Sequence, residues 1–358
     1  MNKHSLPAAL ALAALQCAGA HAQSAVTLYG TVDAAVTRRQ LSGETAVGGV
    51  TSGGLSTSRW GIAGTEDLGG GLRAQFDLSS FIRVDTGDAG RSATEPYWAR
   101  AAWVGLASAT AGSVRLGRVP TTGFQQAVRF NPFGDSAVLS PFLLHNYLPS
   151  PSQSLMTSDG FLDSGWSNSV AYTSPSFADV TASVQYAARE GSGAGRRLGL
   201  GAIYGAPASK FSVGVSYEKT GGAAATFPRR NPVSDPAAGV VTLRDFTNAT
   251  VGASYDFGAV RLFGQYRHAS LEGSSGKVRL ETAQLGAAVP LGAGKVLASV
   301  ARTEKTEAGA QDQNRTSFAL GYDHDLSKRT DVYVATLFDK ASGLDRGTTL
   351  AVGIRHRF

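Results

Sequence analysis

The sequence has one cysteine, Cys17, among 358 residues, and only two methionines. A single cysteine excludes an intramolecular disulfide. Long apolar runs are missing beyond residue 22, which excludes a transmembrane helix in that part of the chain. The 33 basic and 27 acidic residues are spread along the chain. A nucleic-acid surface would need basic residues clustered on one element, so nucleic acid is not an expected partner.

The first 22 residues predict a secretory signal peptide. Lys3 supplies the positive start, and Leu6–Ala20 is an apolar stretch too short to span a bilayer comfortably. Ala20 and Ala22 flank a small-x-small cleavage pattern. Cleavage after Ala22 would leave residues 23–358 as the mature chain. The net charge would fall from +6 to +5, because Lys3 is removed.

Cys17 would leave with this signal peptide, and an exported chain without disulfides fits the bacterial envelope better than an animal secretion. A lipoprotein with its lipid on Cys17 is the alternative, although Gln16 is a poor match for the residue before a lipid-attachment site. The mean hydropathy of −0.06 suits a secreted all-β protein or an outer-membrane barrel. Barrel strands alternate apolar and polar residues, so their average hydropathy resembles that of a soluble protein.

Apolar and polar residues alternate along most of the mature chain. In "VTLYGTVDAAV" the apolar residues Val26, Leu28 and Val32 share one parity. Asp33 falls on the polar parity, as does Asp77 in a second segment, "LRAQFDLS". About sixteen segments of roughly 8–12 residues show this period of two, which is typical of tilted membrane strands. No stretch keeps a helical period over three turns.

Two kinds of connection separate these segments. Short ones of roughly 3–6 residues, such as "EDLGGG" and "LGAG", alternate strictly with longer ones in our segmentation. This pattern predicts an all-β fold, a sixteen-stranded antiparallel transmembrane β-barrel with short periplasmic turns and long extracellular loops. A secreted β-sandwich or adhesin is the alternative, but a sandwich has no reason to collect its long loops at one end.

The C-terminal stretch "TLAVGIRHRF" predicts the strand that closes the barrel. An open sheet edge in hydrocarbon would leave backbone groups unpaired, so the last strand should pair with the first. Arg355 and Arg357 have lumen parity. Phe358 has lipid parity at the periplasmic interface, where aromatic residues are favoured. The residues predicted to face lipid are Leu350, Val352, Ile354, His356 and Phe358.

Seven motifs, in order along the mature chain, resemble the general porins of the Gram-negative outer membrane, in their betaproteobacterial branch. They are "AVTLYGTVDA", "SRWGIAGTEDLGGGL", "GSVRLGR", "NPFGDS", "NSVAYTSPSF", "LGYDHDLSKRTDVY" and "VGIRHRF". The resemblance implies a homotrimer of sixteen-stranded barrels in contact with outer-membrane lipid and lipopolysaccharide. It implies passive diffusion of small hydrophilic solutes and ions through each barrel. It also implies that the barrel-assembly machinery recognises Phe358.

The fifth segment predicts where the channel narrows. Only about six residues separate Gly112 from Arg118, which is short for a membrane strand, so the chain should leave the wall half way up. The longest connection, residues 119–165, would then start inside the lumen and fold inward, as the family's third loop does. A flap on the outer surface is the alternative. The residues expected at the loop's tip are Asn131, Pro132, Phe133 and Gly134.

Arg59 and Arg118 are predicted to lie at mid-height in the channel. Arg59 has lumen parity. Parity alone turns Arg118 outward, but the family motif "LGR" favours the lumen. Arginines facing loop acids would create a transverse field across the pore. Wall salt bridges with Asp33 or Asp77 are the alternative role for these arginines. The predicted constriction set is Arg59, Arg118, Asp33, Asp77 and Asp135.

The resemblance implies an arginine where this chain has Ala171, so a thinner basic cluster is expected. The third loop has few acidic residues, which favours a weak preference for anions. The wall acids Asp33 and Asp77 could cancel that preference. A channel that prefers phosphate or organic acids is the alternative function within the same fold.

Other chemistry has little support in the sequence. The triplet from Asp323 to Asp325 includes His324 and could suggest a metal site, but it belongs to a turn motif of the family. The four mature histidines are scattered, without an evident nucleophile and base. We therefore expect no enzyme activity, no cofactor and no metal. A barrel enzyme, an adhesin and a structural anchor are the alternatives from other classes.

Overall fold

The computed structural model describes residues 25–93, 95–148, 163–189, 195–221, 225–228, 240–243, 245–273, 276–307 and 311–358. The predicted signal peptide and its cleavage residues, Ala20 and Ala22, lie outside the described residues. Within those ranges no helix is long and apolar enough to cross a bilayer.

Strands make up most of the described chain, and two short helices occupy the long third loop. The helices are α1 (Thr122–Arg129) and α2 (Pro141–Asn146). The strands are β1 (Ala25–Arg39), β2 (Val47–Ser52), β3 (Arg59–Gly69), β4 (Leu72–Phe81), β5 (Ala101–Ser108), β6 (Gly112–Pro120), β7 (Gly165–Thr173), β8 (Val180–Ala187), β9 (Arg196–Tyr204), β10 (Phe211–Gly221), β11 (Ala225–Pro228), β12 (Val240–Leu243), β13 (Asp245–Asp256), β14 (Arg261–Gly273), β15 (Gly276–Leu291), β16 (Gly294–Glu307), β17 (Gln313–Asp325), β18 (Thr330–Ala341) and β19 (Gly347–Arg357).

Sixteen strands form the wall. β2 and β3 both pair with β1, the former along its second half and the latter along its first, so together they make one interrupted wall strand. β11 and β12 pair with each other in a separate hairpin between β10 and β13. Every neighbouring pair in the wall is antiparallel, which confirms the predicted sixteen-stranded barrel. The hairpin was not predicted from the sequence.

β1 and β19 close the barrel. Their register runs from Thr31 opposite Arg357 to Arg38 opposite Leu350. At the end of this ladder, the amide of Gly30 donates to the carbonyl of Phe358, and the amide of Phe358 donates back to Gly30, both at 3.1 Å. Closure leaves the wall without a free edge, as the hydrocarbon core requires.

The last strand has the two faces that its sequence predicted. Val352 and Ile354 are exposed on the lipid side, whereas Ala351 and Arg355 are buried on the inner side. Phe358 is 40% exposed at the barrel end. The alternation follows from strand geometry, because successive side chains point to opposite faces of a sheet.

Two details differ from the sequence prediction. β6 continues to Pro120, beyond the six residues expected, because it stays paired with β7 across a bulge that contains Asn168 at φ 52°. The alternation of long and short connections is not strict either. Only two residues separate β14 from β15 at the long-loop end. The two strands stay paired as far as Gly273 opposite Gly276, which leaves little chain for a loop.

Asp33 is a structural residue, which corrects its predicted place in the constriction. Its carboxylate is fully buried and accepts hydrogen bonds from the amides of Gly54, Leu55 and Ser56 at 2.7–3.1 Å. The hydroxyl of Tyr333 donates to it at 2.5 Å. These bonds fix the interruption between β2 and β3, where the chain would otherwise leave backbone donors unpaired.

Replacing Asp33 with alanine should destabilise the barrel. Three buried amides would lose their acceptor, and we expect the free energy of unfolding to fall by about 2–4 kcal/mol. Guanidinium unfolding of the purified protein in detergent measures the change. Asp33→Asn keeps one acceptor oxygen and should lose less. Equal midpoints for the wild type and Asp33→Ala would contradict this role.

Candidate functional site

The third loop begins with α1, which lies against the inner wall. Thr121 caps the helix by accepting the amide of Phe124 at 3.2 Å. The amide of Gly123 donates to the buried carboxylate of Glu218 on β10 at 2.7 Å. A carboxylate at a helix N-terminus satisfies donors that have no partner within the helix. This contact fixes the start of α1 to the wall.

The middle of the loop is held by shape as well as by hydrogen bonds. The side-chain amide of Gln126 donates to the carbonyls of Gly214 and Thr250 at 3.2 and 3.0 Å. Phe130 is fully buried against Gly252, where an added Cβ would lie 2.5 Å from its ring. Only glycine leaves room for the ring at this point of the wall.

The tip of the loop reaches the opposite side of the barrel. Asn131 shapes it by accepting the amide of Phe133 at 3.1 Å. Phe133 packs in a buried cluster that includes Leu55 and Tyr333. The hydroxyl of Ser136 donates to the carbonyl of Gly54 at 2.7 Å, within the interruption between β2 and β3. Pro132 packs against Gly286, and Gly134 turns the chain at φ 50°.

The second helix, α2, is anchored by side chains of the far wall. The ring nitrogens of His145 lie 2.8 Å from the hydroxyls of Thr303 and Ser317. Arg315, which forms a two-bond ion pair with Asp339, also donates to the carbonyl of Leu144 at 3.3 Å. These contacts confirm that the third loop folds into the barrel, and they exclude the alternative of a surface flap.

A cavity of about 580 Å³ lies in the lumen beside this loop. Five arginines and one aspartate line it, among apolar residues such as Phe124 and Phe263. The charged lining residues are Arg59, Arg91, Arg100, Arg129, Arg261 and Asp135. The basic cluster is therefore richer than we expected from the alanine at position 171. Ala171 faces inward elsewhere in the lumen, on β7.

Arg59 and Asp135 meet at this cavity. They form an ion pair across the lumen, from the start of β3 to the tip of the loop. Arg59 also donates to the carbonyl of Thr57 at 3.0 Å, and the hydroxyl of Thr57 donates to the carbonyl of Asp135 at 2.8 Å. The pair joins the wall to the loop and leaves both groups partly exposed to the lumen.

Arg100 precedes β5 and reaches the cavity without an acidic partner among the described ion pairs. It donates to the hydroxyls of Tyr29 and Ser79 at 3.2 and 3.0 Å. The hydroxyl of Tyr29 in turn donates to Asp77 at 2.7 Å. Asp77 is half-buried and is not among the residues that line this cavity, so its place in the constriction stays a prediction.

Arg118 does not line the cavity either. Its guanidinium donates to Asp163 at 2.6 Å and to the carbonyl of Ala99 at 2.5 Å, and its side chain is largely buried. Asp163 and the carbonyl of Ala99 hold Arg118, which therefore does not take the place at the cavity that was predicted for it. Arg91 takes a place at the cavity instead, paired with Glu95 and lying over the ring of Phe81 at 4.4 Å.

Arg129 and Arg261 line the opposite side of the cavity. Arg129 extends from α1 and donates to the hydroxyl of Ser212 at 2.9 Å. Arg261 donates to the carbonyl of Pro207 at 2.9 Å. Burial lowers the pKa of Arg129, and the charge of Arg261 lowers it further. Both guanidinium groups carry a positive charge.

Four of the five cavity arginines were missed by reasoning from the sequence. Arg261 had a signal, because it shares the inward parity of Gln265 and Arg267 on β14. Arg91 lies in a loop and Arg129 in α1, where strand parity says nothing.

Asp323, Asp325 and Asp331 place carboxylate oxygens within 4.8 Å of one another at the periplasmic turns. Arg355 donates to Asp323 and Asp331 at 2.9 and 3.0 Å, and Arg357 donates to Asp331 at 2.8 Å. The protein's own arginines therefore pair with two of the three carboxylates, and the structural role of the turn stays a prediction.

A closed barrel with an apolar exterior, an inward loop and a charged cavity defines a water-filled channel through a membrane. A sequence model described as Gram-negative porin matches residues 8–344. Outer membrane porin protein 32 of Delftia acidovorans is 33% identical over 98% of this chain and 99% of its own length.

An outer membrane porin protein of Bordetella pertussis is 27% identical over 99% of this chain and 100% of its own length. The solved structure of an anion-selective porin from Comamonas acidovorans superposes with a TM-score of 0.76 at 28% identity, covering 94% of this chain and 100% of that one. The chain belongs to the Gram-negative porin family. It is an outer-membrane porin, a multi-pass barrel that forms a channel.

Acid should loosen the anchor of α2 through His145. Burial lowers the pKa of His145 to about 3. The charge of Arg315 also lowers this pKa, whereas the charge of Asp339 raises it. The unfolded chain takes up this proton near pH 6.5, so the stability from neutral His145 is complete above that pH and is lost as the pH falls toward 3.

We expect about 2–3 kcal/mol less unfolding free energy at pH 4.5 than at pH 7.5 from this residue. Denaturant unfolding at the two pH values measures the difference. His145→Gln, which can still donate and accept, should lose this part of the pH dependence. The same pH dependence in both proteins would show that His145 does not carry it.

Proposed function

We propose that this porin passes small hydrophilic solutes with a preference for anions, and that the third loop forms its constriction. The supporting observation is the unequal charge of the luminal cavity, where five arginines face one aspartate. Arg100, Arg129 and Arg261 form no ion pair among the described residues, so their positive charge is available to passing anions. Guanidinium groups also present a fixed fork toward carboxylates and phosphates.

Arg59 and Asp135 are proposed as the constriction pair. Each is partly exposed to the lumen, and the two reach it from opposite sides, wall and loop. Opposite charges across a narrow opening give a transverse field that orients water and polar solutes. The loop residues Asn131, Pro132, Phe133 and Gly134 hold Asp135 in this place.

The proposal extends to assembly. Exposed apolar side chains near the termini, such as Val26 and Val352, lie on outer faces that lipid or a neighbouring barrel can cover. We infer a homotrimer in contact with outer-membrane lipid and lipopolysaccharide. Phe358, exposed at the barrel end with its backbone paired to Gly30, is proposed as the residue that the barrel-assembly machinery recognises. The porin function of its relatives supports a channel without enzyme activity.

Removing two of the unpaired charges should reduce the anion preference. For Arg100→Gln with Arg129→Gln, we expect the chloride-to-potassium permeability ratio to fall about two- to fivefold at low salt, with a smaller effect at high salt. Reversal potentials across a potassium chloride gradient in planar bilayers measure the ratio. Arg302→Gln is the matched control, because Arg302 is exposed on the outer face and pairs with Glu304. An unchanged ratio in the double variant would refute the filter.

Excising the inward part of the third loop should widen the channel. Replacing Asn131–Asn146 with a short flexible linker removes the tip and α2, while the wall ladder, which carries the barrel, is untouched. We expect a larger single-channel conductance and a larger size limit for neutral sugars. A conductance equal to or below that of the wild type would mean that wall residues alone form the constriction.

A further inference from the structure

Three residues of the wall, Glu218, Asn248 and Arg267, are buried side by side behind the third loop. They come from the neighbouring strands β10, β13 and β14, and none is more than 4% exposed. The side-chain amide of Asn248 donates to Glu218 at 3.1 Å, and its oxygen accepts from Arg267 at 2.7 Å. Asn248 thus links a buried anion to a buried cation, whose opposite charges attract each other. We call these three residues the wall triad.

One end of the wall triad holds the start of α1. The amide of Gly123 donates to the carboxylate of Glu218 at 2.7 Å. A Cβ at position 123 would lie 2.7 Å from the carboxylate carbon and from both of its oxygens, so this close approach requires glycine. Phe124 follows directly in the chain and lines the arginine-lined cavity. The triad therefore fixes the backbone beside this ring.

The other end of the wall triad holds the end of α2. Arg267 donates to the carbonyl of Asn146, the last residue of that helix, at 3.2 Å. The guanidinium carbon of Arg267 also lies 5.3 Å from the ring centre of Tyr147, which is the next residue along the chain. Tyr147 is therefore held through its backbone neighbour and through its ring.

The two rings that the wall triad holds meet at the cavity. Phe124 and Tyr147 have their ring centres 5.3 Å apart and their planes at 77°, the edge-to-face arrangement that aromatic pairs favour. Both rings line the cavity and are partly exposed there. They come from separate helices of the third loop, so their contact depends on both helices keeping their places. The triad binds both helices.

We propose that the wall triad positions the pair of Phe124 and Tyr147, and that this pair limits the size of the solutes that pass the cavity. Glu218, Asn248 and Arg267 are positioning residues, because none of them is among the residues that line the cavity. This inference rests on the proposed function, in which the third loop narrows the channel.

The mobility of a spin label on α1 tests the positioning. Gln125 of α1 is exposed and can be replaced by a labelled cysteine, since the chain's one cysteine, Cys17, lies in the predicted signal peptide. Glu218→Gln offers one acceptor oxygen to two donors, the amides of Gly123 and Asn248. Losing one hydrogen bond should raise the population of the displaced helix about two- to tenfold. We expect a shorter rotational correlation time of the label.

Gly123→Ala disturbs the same contact from the side of the helix. It leaves the charge of Glu218 in place, and alanine favours a helix over glycine. A more mobile label in this variant therefore reports the lost approach to Glu218. The double variant should add little to either single one, because both changes break one contact. If Gly123→Ala does not fold, Glu218→Gln decides the question.

Swelling of proteoliposomes in neutral sugars tests the size limit. Arabinose and raffinose carry no charge, so the charge lost in Glu218→Gln does not act on them directly. We expect the ratio of the raffinose rate to the arabinose rate to rise in both clamp variants, Glu218→Gln and Gly123→Ala. Phe124→Ala with Tyr147→Ala removes the rings themselves and should raise the ratio further.

Asp331→Asn is the matched control. Asp331 is also a fully buried carboxylate of the wall, and it pairs with Arg355 and Arg357 without a contact to the third loop among the described residues. This variant should lower the unfolding midpoint in denaturant, yet leave the mobility of the label and the ratio of the sugar rates unchanged. It separates positioning from a general loss of stability.

Unchanged mobility in both clamp variants, or an equal increase in Asp331→Asn, would overturn the positioning role. Increased mobility with an unchanged ratio of sugar rates would overturn the part assigned to the two rings. Excision of residues 131–146 reports the constriction separately. If excision widens the channel but the clamp and ring variants do not, this inference fails and the proposed function stands.

Discussion

The pairing of every backbone amide and carbonyl within the membrane is the constraint on which this structure depends. Hydrocarbon offers no partners, so the sheet must close on itself. Here closure joins β1 to β19 and ends with the reciprocal bonds between Gly30 and Phe358. Because the ladder supplies the stability of the wall, the inner face is free to carry charged and polar side chains. A helical bundle of this length would bury its interior for stability.

The third loop packs against this polar inner face of the wall. Its backbone groups and buried side chains must find partners inside the lumen, and the wall supplies them at several points. Glu218 receives the start of α1, Gly252 makes room for Phe130, and Arg315 and His145 fix α2. The loop is thus part of the packed structure, which explains how it can hold Asp135 opposite Arg59 in a defined geometry.

The arginines of the lumen divide into two groups by their partners. Arg118, Arg315 and Arg355 are satisfied by aspartates and act as structural ties. Arg100, Arg129 and Arg261 are bound by hydroxyls and carbonyls, which hold their positions without neutralising them. An ion pair cancels most of the field of a charge, whereas a neutral hydrogen-bond acceptor leaves it in place. The anion preference proposed for the channel rests on the second group.

The sequence by itself determined the barrel, its strand number and the orientation of its last strand. Lipid on one side of the wall and water on the other impose an alternation of apolar and polar residues. This alternation is visible in the sequence, as at Val352 and Arg355. Only the tertiary structure decided which charges meet. Arg91, Arg100 and Arg129 come from a loop, a strand end and a helix, where parity fixes no direction. Asp33 had the parity of a lumen residue but is enclosed by the interruption between β2 and β3. Partners distant along the chain determine those positions, and no local pattern encodes them.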